Sequence, residues 1–361
     1  MITVAHLDEQ EGLRGGEQQA AWLVRGLAEL GVANTVVGRP GEAFVTMHAD
    51  RDDIRRFPLP MLGELDVYSA WRLARFTRRH NVDIVHAHAS HAHGIAAVAR
   101  CFGMRSRIVV SRRVNFPPKG HFLNRWKYNT PDRILCVSEK VQETLAEYGL
   151  HPPQTCVVHS AVDMERVLMP VVSRSSLNVQ DEAPLLVSAG ALVGHKDHAN
   201  LLDAAVIVRR TFPALRVCIA GEGPLRGALE AKRDALDLGE CVTFLGNRKD
   251  APGIIRAADV YVSSSWSEGL GTSILEALAA GVPVVAAEAG GAREMVIPDE
   301  TGYLTPTRNP EALAQAIIAS LSDRDKAREM AAAGCRLAQD KFSVERMVAQ
   351  THAVYKNLTG S

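Results

Sequence analysis

Two carboxylates, Glu268 and Glu276, stand eight residues apart around the turn Gly269-Leu270-Gly271. Before them, Val260, Tyr261 and Val262 read as a short buried strand. After them, Ile274, Leu275, Leu278 and Ala279 fall on one face of a helix starting near Thr272. Gly281 suits the left-handed position that ends such a helix, and Pro283 prevents its continuation. A strand feeding a glycine-rich turn and then a helix presents free N–H groups, here those of Gly271, Thr272 and Ser273, at a positive dipole end. That geometry binds phosphate. Carboxylates accept hydrogen bonds from sugar hydroxyls. Both glutamates can therefore face one ligand across the helix start, and a sugar joined to a nucleotide through diphosphate needs that mixture. The bland alternative is an acid that favours the dipole plus a solvated Glu276.

Other residues extend the pattern. Lys196 closes the segment Gly190-Ala191-Leu192-Val193-Gly194-His195-Lys196, just before a helix for which Asp197 is the expected N-cap. A cation disfavours a helix N-terminus, so its placement there points to an anionic ligand. Gly221-Glu222-Gly223-Pro224 follows a strand, but the third glycine of a dinucleotide fingerprint comes one residue late, at Gly227, and no acid follows at the right distance. NAD is not expected. Gly246-Asn247-Arg248 reads as a nucleobase-side loop. Gly15-Gly16 marks a strand-to-helix turn where ligand and backbone could approach, or simply a tight turn. His86/His88 and His91/His93 form two H-x-H pairs, and alternate strand residues share a face, which would suit zinc. No nearby Cys or carboxylate completes such a site, so no metal and no cofactor are expected.

Alternating strands and helices must position these groups. Strands are expected at 2–6, 34–37, 43–47, 82–86, 108–110 and 134–137. The second half adds 185–189, 216–220, 242–245, 260–262 and 284–286. Helices are expected at 17–30, 66–80, 198–212 and 344–358, with Ser138 as an N-cap and Asn309-Pro310-Glu311 as a helix start. The fold class is α/β, with two Rossmann-like domains: 1–168, a polar linker at 169–183, and 184–342. The helix over 343–361 is expected to return to the first domain.

At 361 residues, length favours two domains, and 41 basic against 41 acidic residues argue against a nucleic-acid binder. The six cysteines form no CxxC pair and read as reduced thiols of a cytoplasmic protein. The opening MITVAHLDEQ lacks a signal-peptide pattern, and no apolar run is long enough to span a membrane. One region breaks the charge balance. No acid stands between Asp83 and Asp132, yet Arg100, Arg105, Arg107, Arg112, Arg113, Lys119, Arg125 and Lys127 do, with Phe116, Phe122, Trp126 and Tyr128 among them. Residues 100–128 are therefore expected to meet an anionic membrane or a phosphorylated acceptor, or else to be a solvated basic face.

Glu268-Gly269-Leu270-Gly271 through Glu276-Ala277 resembles the E-x7-E signature of retaining family-4 glycosyltransferases. Asp83-Ile84-Val85-His86-Ala87-His88, Val137-Ser138-Glu139, Gly290-Gly291-Ala292-Arg293-Glu294 and Thr301-Gly302-Tyr303-Leu304 are similar to further motifs of that family. The resemblance implies the GT-B fold, with two domains facing a cleft, and cytoplasmic or peripheral-membrane assembly of bacterial cell-envelope or lipopolysaccharide glycans. It implies that Glu268 holds the sugar and acts with Lys196 in catalysis, and that Glu276 takes the ribose. Gly16, Gly190, Glu222, Gly223, Arg248 and Gly269 to Ser273, Leu270 and Thr272 included, would line the donor. His86, His88, Arg112 and Arg113 would face a glycan or lipid-linked acceptor. Three sites depart from the family: Ala191 replaces an arginine, for which Arg14, Arg112 or Arg113 could compensate, Ser111-Arg112-Arg113 replaces Thr-x-His, and Ser160-Ala161 replaces Asn-Gly. The alternatives are a nucleotide-sugar epimerase of the same fold and a non-catalytic sugar-nucleotide-binding protein.

Overall fold

The computed structural model describes residues 1–12 and 15–360, which divide into two units: Met1–Ser160 with Val344–Ser361, and Ala161–Ser343. The first unit runs β1 (Thr3–Leu7), α1 (Gly15–Glu29), β2 (Ala33–Gly38), α2 (Ala43–Thr46), β3 (Ile54–Pro58), α3 (Val67–Arg79) and β4 (Ile84–Ala87). It continues through α4 (Ser90–Cys101), β5 (Arg107–Arg112), α5 (Phe122–Asn129), β6 (Arg133–Cys136), α6 (Glu139–Glu147) and β7 (Thr155–Val157). Its seven parallel strands are ordered β3-β2-β1-β4-β5-β6-β7. Every residue of β4 is buried, as expected where helices cover both faces of a parallel sheet.

The second unit begins with α7 (Met164–Val167), β8 (Leu185–Ala189), α8 (His198–Thr211), β9 (Arg216–Ala220), α9 (Arg226–Ala235) and β10 (Val242–Gly246). Then come α10 (Ala251–Arg256), β11 (Val260–Ser263), α11 (Thr272–Ala279), β12 (Val284–Ala287), β13 (Tyr303–Thr305), α12 (Pro310–Ser322) and α13 (Arg324–Lys341). The sheet order is β10-β9-β8-β11-β12-β13. The last helix, α14 (Val344–Thr359), groups with the first unit and buries Met347, Val348, Thr351 and Tyr355 there. Ser138 and Asn309 cap their helices through Val141 N–H at 3.2 Å and Ala312 N–H at 2.9 Å. Each such cap is worth about 1 kcal/mol.

Several elements differ from the sequence expectation. Residues 43–47 are not a strand: Phe44 and Val45 pack as one helical turn, Phe44 joining Ala20, Val24, Val36 and Ile54. The strand at that edge is β3, where Arg55 and Arg56 point to solvent; an edge strand needs little apolar alternation. His91 and His93 lie on α4 rather than on a strand. Glu9, not a residue of α4's own start, caps that helix by accepting from His91 and Ala92 N–H at 3.1 and 2.9 Å. Asp197 precedes α8 in a left-handed conformation (φ 49°) and makes no side-chain cap bond. Residues 161–183 group with the second unit. Val162 N–H donates to Phe342 O at 2.8 Å, Leu177 and Val179 are buried, and Arg174 donates to the carbonyls of Ala257 and Asp181. Polar composition hid these anchors. No helix among the described residues is long and apolar enough to cross a membrane, and the six cysteines are free thiols.

Candidate functional site

In open parallel sheets, ligands bind outside the carboxyl ends of the strands where strand order reverses. In the second unit that point lies between β8 and β11. The loop after β8 delivers Lys196 and the loop after β11 delivers Glu268, with Nζ to Oε1 at 2.5 Å. Ser265 Oγ donates to the same carboxylate oxygen at 2.7 Å, and Ser264 Oγ donates to Lys196 O at 3.1 Å. The Trp266 amide and indole N–H groups reach His195 O and Gly194 O at 2.9 and 3.0 Å. Lys196 is thus not an isolated cation at a helix end; it is paired across the switch point. Gly290 locks the turn from the far side. At φ 55°, a Cβ there would stand 1.8 Å from Glu268 O, and Gly291 N–H donates to Gly269 O at 3.1 Å.

Gly271 (φ 101°) holds the N-cap position of α11 and no side chain caps that helix. The Leu275 N–H bond to Gly271 O, at 3.1 Å, opens the ladder, so the Gly271, Thr272 and Ser273 amides precede it. Glu276 lies within α11 with Arg166 Nε 3.6 Å away; burial pushes its carboxyl up and Arg166 opposes this. Arg166 went unnoticed in the sequence because α7 fell inside the expected first domain. Arg308 Cζ sits 4.6 Å over the Trp266 ring, another cation at this loop that no motif flagged. Leu270 is buried.

The neighbouring strand ends complete the rim. Gly190 N–H donates to Ala220 O and Leu192 N–H to Glu222 O, both at 2.9 Å, which brings the Gly190 and Glu222-Gly223 loops together. Glu222 accepts from Arg226 at 2.6 Å, and Arg248 grips Asp250 in a two-point pair at 2.7 and 2.6 Å. These partly exposed pairs are worth at most about 1 kcal/mol and can yield to a ligand. His198, buried beside this loop, is lowered to about 4 by burial and then by Lys196, so it is neutral at pH 7.

The first unit has its own switch point, between β1 and β4. His6 and His86 are register partners there, and His88 follows two residues on. His6 Nδ1 lies 3.1 Å from His88 Nε2, and His6 Nε2 lies 3.0 Å from Asn34 Oδ1. His86 Nδ1 meets Tyr355 Oη at 2.6 Å and its Nε2 meets Ser111 Oγ at 2.8 Å. Burial lowers His6 to about 4 and holds His86 and His88 well below the usual imidazole range. Asp8, at the end of β1, is pushed up to about 7, chiefly by burial. A Cβ at Gly16 would lie 3.6 Å from Arg113 Cδ, which places the start of α1 against that arginine. Arg112 donates to Tyr128 Oη and Phe116 O. Arg112 and Arg113 belong to the first unit, and Arg14 lies outside the described residues.

The basic stretch is less free than its sequence suggested. Arg100 and Arg107 pair with Asp132 at 2.6 and 2.8 Å, and Lys127 is buried against Glu64 at 2.8 Å. Acids remote in sequence neutralise them. Arg105, Lys119 and Arg125 remain exposed. Beside them Phe122 (80% exposed), Leu123, Leu62 (81%) and Leu65 leave apolar surface in water. A groove of about 330 Å³ runs between Leu65, Gly94, Leu123 and Trp126. A second cavity, about 670 Å³, opens at the amino ends of β4 and β5, the wrong edge of the sheet for the chemistry above.

Comparison with known proteins bears on both units. Residues 172–336 match the family model described as Glycosyl transferases group 1, and residues 13–166 match Glycosyltransferase Family 4. The chain is 25% identical over 331 residues to the lipopolysaccharide core biosynthesis glycosyltransferase LpsE of Rhizobium meliloti, covering 92% of each. It is 33% identical over 239 residues to a D-inositol 3-phosphate glycosyltransferase of Geodermatophilus obscurus, covering 62% of this chain and 52% of that one. Among solved structures, Anabaena Alr3699/HepE in complex with UDP and glucose superposes with a TM-score of 0.84 at 21% identity, covering 99% and 100%. The outer core galactosyltransferase WaaB superposes with a TM-score of 0.75 at 16% identity over the same shares. The fold is the one these glycosyltransferases share, GT-B.

Proposed function

The chain belongs to the family-4 glycosyltransferases, and from that premise we propose that it moves a hexose from a nucleotide-diphosphate sugar to a glycan or lipid-linked acceptor, retaining the anomeric configuration. The observation that carries this reading is the Lys196–Glu268 pair beside the uncapped N-terminus of α11. When the sugar–oxygen bond breaks, the diphosphate gains charge. The Gly271 to Ser273 amides and Lys196 stand where that charge develops, and preorganised dipoles of this kind supply most of the rate enhancement in many enzymes. Glu268 then accepts from sugar hydroxyls, and Glu276 from the ribose, with Arg166 holding its carboxylate. Arg308 supplies the cation that Ala191 does not. No divalent ion is required for the leaving group. HepE's complex with UDP and glucose supports a uridine donor.

The acceptor belongs to the first unit. Arg112 and Arg113 replace the family's usual rim, and the exposed aromatic and basic surface around α5 suits peripheral contact with an anionic membrane at the cytoplasmic face. LpsE and WaaB, named for lipopolysaccharide core synthesis, support an envelope acceptor. The test is a panel of nucleotide sugars screened for thermal stabilisation, followed by transfer assays and NMR of the product's anomeric proton. A stabilising nucleotide sugar turned over with retention is expected; an inverted product overturns the reading.

A further inference from the structure

We propose that His6, His86 and His88 form a binding site for one divalent transition-metal ion of the zinc class. Each ring offers a nitrogen within 4.8 Å of the other two, and all three side chains are buried. A tetrahedral ion with Zn–N bonds of about 2.0–2.1 Å sets its ligand nitrogens about 3.3 Å apart. The His6 Nδ1 to His88 Nε2 edge, at 3.1 Å, already has that length. His86 closes the site by turning its Nε2 away from Ser111 Oγ.

The hydrogen bonds fix which lone pairs are available. Asn34 Nδ2 donates to Val32 O at 2.9 Å and Val24 O at 3.4 Å, so its Oδ1 is the atom facing His6 and accepts from His6 Nε2. His6 therefore carries its proton on Nε2 and presents the Nδ1 lone pair to His88, whose Nε2 donates in the metal-free protein. His88 Nδ1 is left buried with no partner. Moving that one proton across the His88 ring, from Nε2 to Nδ1, gives the ion its second ligand. His86 uses Nδ1 towards Tyr355 Oη, leaving Nε2 as the third. No proton leaves the protein.

Support behind the ligands has the form metal sites use. Metal-bound imidazoles commonly donate their other N–H to a carbonyl or similar acceptor, and Asn34 and Tyr355 stand there for His6 and His86. An all-imidazole set favours zinc, cobalt, nickel or copper over magnesium, which prefers oxygen. A cation, Arg113, also acts on the cluster, and the Asp8 and Glu17 carboxylates act in turn on Arg113. The sequence had offered two H-x-H pairs, His86/His88 and His91/His93; the parallel pairing of β1 with β4 brings His6 to the first of them as the third ligand.

The experiment uses tag-free full-length protein, dialysed against a chelator and titrated with Co²⁺. Expected are visible d–d absorption of tetrahedral strength saturating at one ion per chain, and its loss on adding Zn²⁺. His88→Gln keeps an N–H to donate to His6 Nδ1 but removes the imidazole. It is expected to keep the wild-type circular dichroism and to bind Co²⁺ at least about tenfold more weakly, a loss of about 1.4 kcal/mol. His352→Ala, on the surface of α14, should bind as wild type. Absence of the cobalt spectrum in wild type, or its persistence in both His88→Gln and His6→Asn, overturns the proposal. Should either variant fail to fold, the wild-type titration alone decides.

Discussion

Lys196 Nζ and Glu268 Oε1, 72 positions apart in the chain, meet at 2.5 Å across the reversal of strand order in the second unit. In the proposed reaction one side chain would read the donor's sugar and the other its diphosphate, and in this structure each holds the other's rotamer.

Glu268→Gln should lower kcat by about ten- to a hundredfold while changing donor affinity little, because a hydrogen bond to a charged group is worth about 1.5–3 kcal/mol. Glu276→Ala should mainly raise the Kd for the nucleotide. Steady-state kinetics with calorimetric donor titration separates the two; unchanged kcat in the Glu268 variant sinks the assignment.

Adding Mg²⁺ or Mn²⁺ to chelator-treated enzyme should leave the transfer rate within about twofold, since in the proposed reaction amides and Lys196 would meet the leaving group. A rate that depends on either ion shows that those groups are insufficient.

Asp8 gives a pH test. Its folded pKa of about 7 exceeds the unfolded value near 4, so the native state holds the proton more tightly and stability falls as pH rises through that window. The loss is about 4 kcal/mol at most. His6, lowered to about 4, acts oppositely on the acid side, so the difference between wild type and Asp8→Asn is the quantity to measure. Denaturation followed by tryptophan fluorescence suits this, because Trp22, Trp71 and Trp126 lie in the first unit. The variant should gain on wild type between about pH 4 and about 7; parallel curves contradict it.

Vesicle co-sedimentation tests the membrane face. Wild type should bind anionic but not neutral vesicles, and salt should reverse this. Lys119→Glu with Arg125→Glu is the informative double variant, since both are exposed, whereas Lys127 is buried on Glu64 and its loss would disturb the fold. Equal sedimentation of wild type and double variant would leave only a solvated surface.

Strand–helix alternation, the E-x7-E spacing and the Gly190 to Lys196 loop were legible because each is local: a period, a turn or a cap. Partners brought in by parallel pairing were not. His6 stands eighty residues before His86, and nothing in either segment announces that β1 and β4 are neighbours. Arg166 was assigned to the other domain, and Arg308 sits in a loop without a motif. The same blindness exaggerated the basic stretch, whose neutralising partners Glu64 and Asp132 lie outside it.

Tyr355 Oη reaches His86 Nδ1 at 2.6 Å from a helix that follows the whole second unit in sequence. During synthesis, then, the first unit waits with an unfilled seat for a ring made only after the whole second unit. A nascent chain halted after residue 343 carries every strand of that sheet, yet leaves His86 facing a hole.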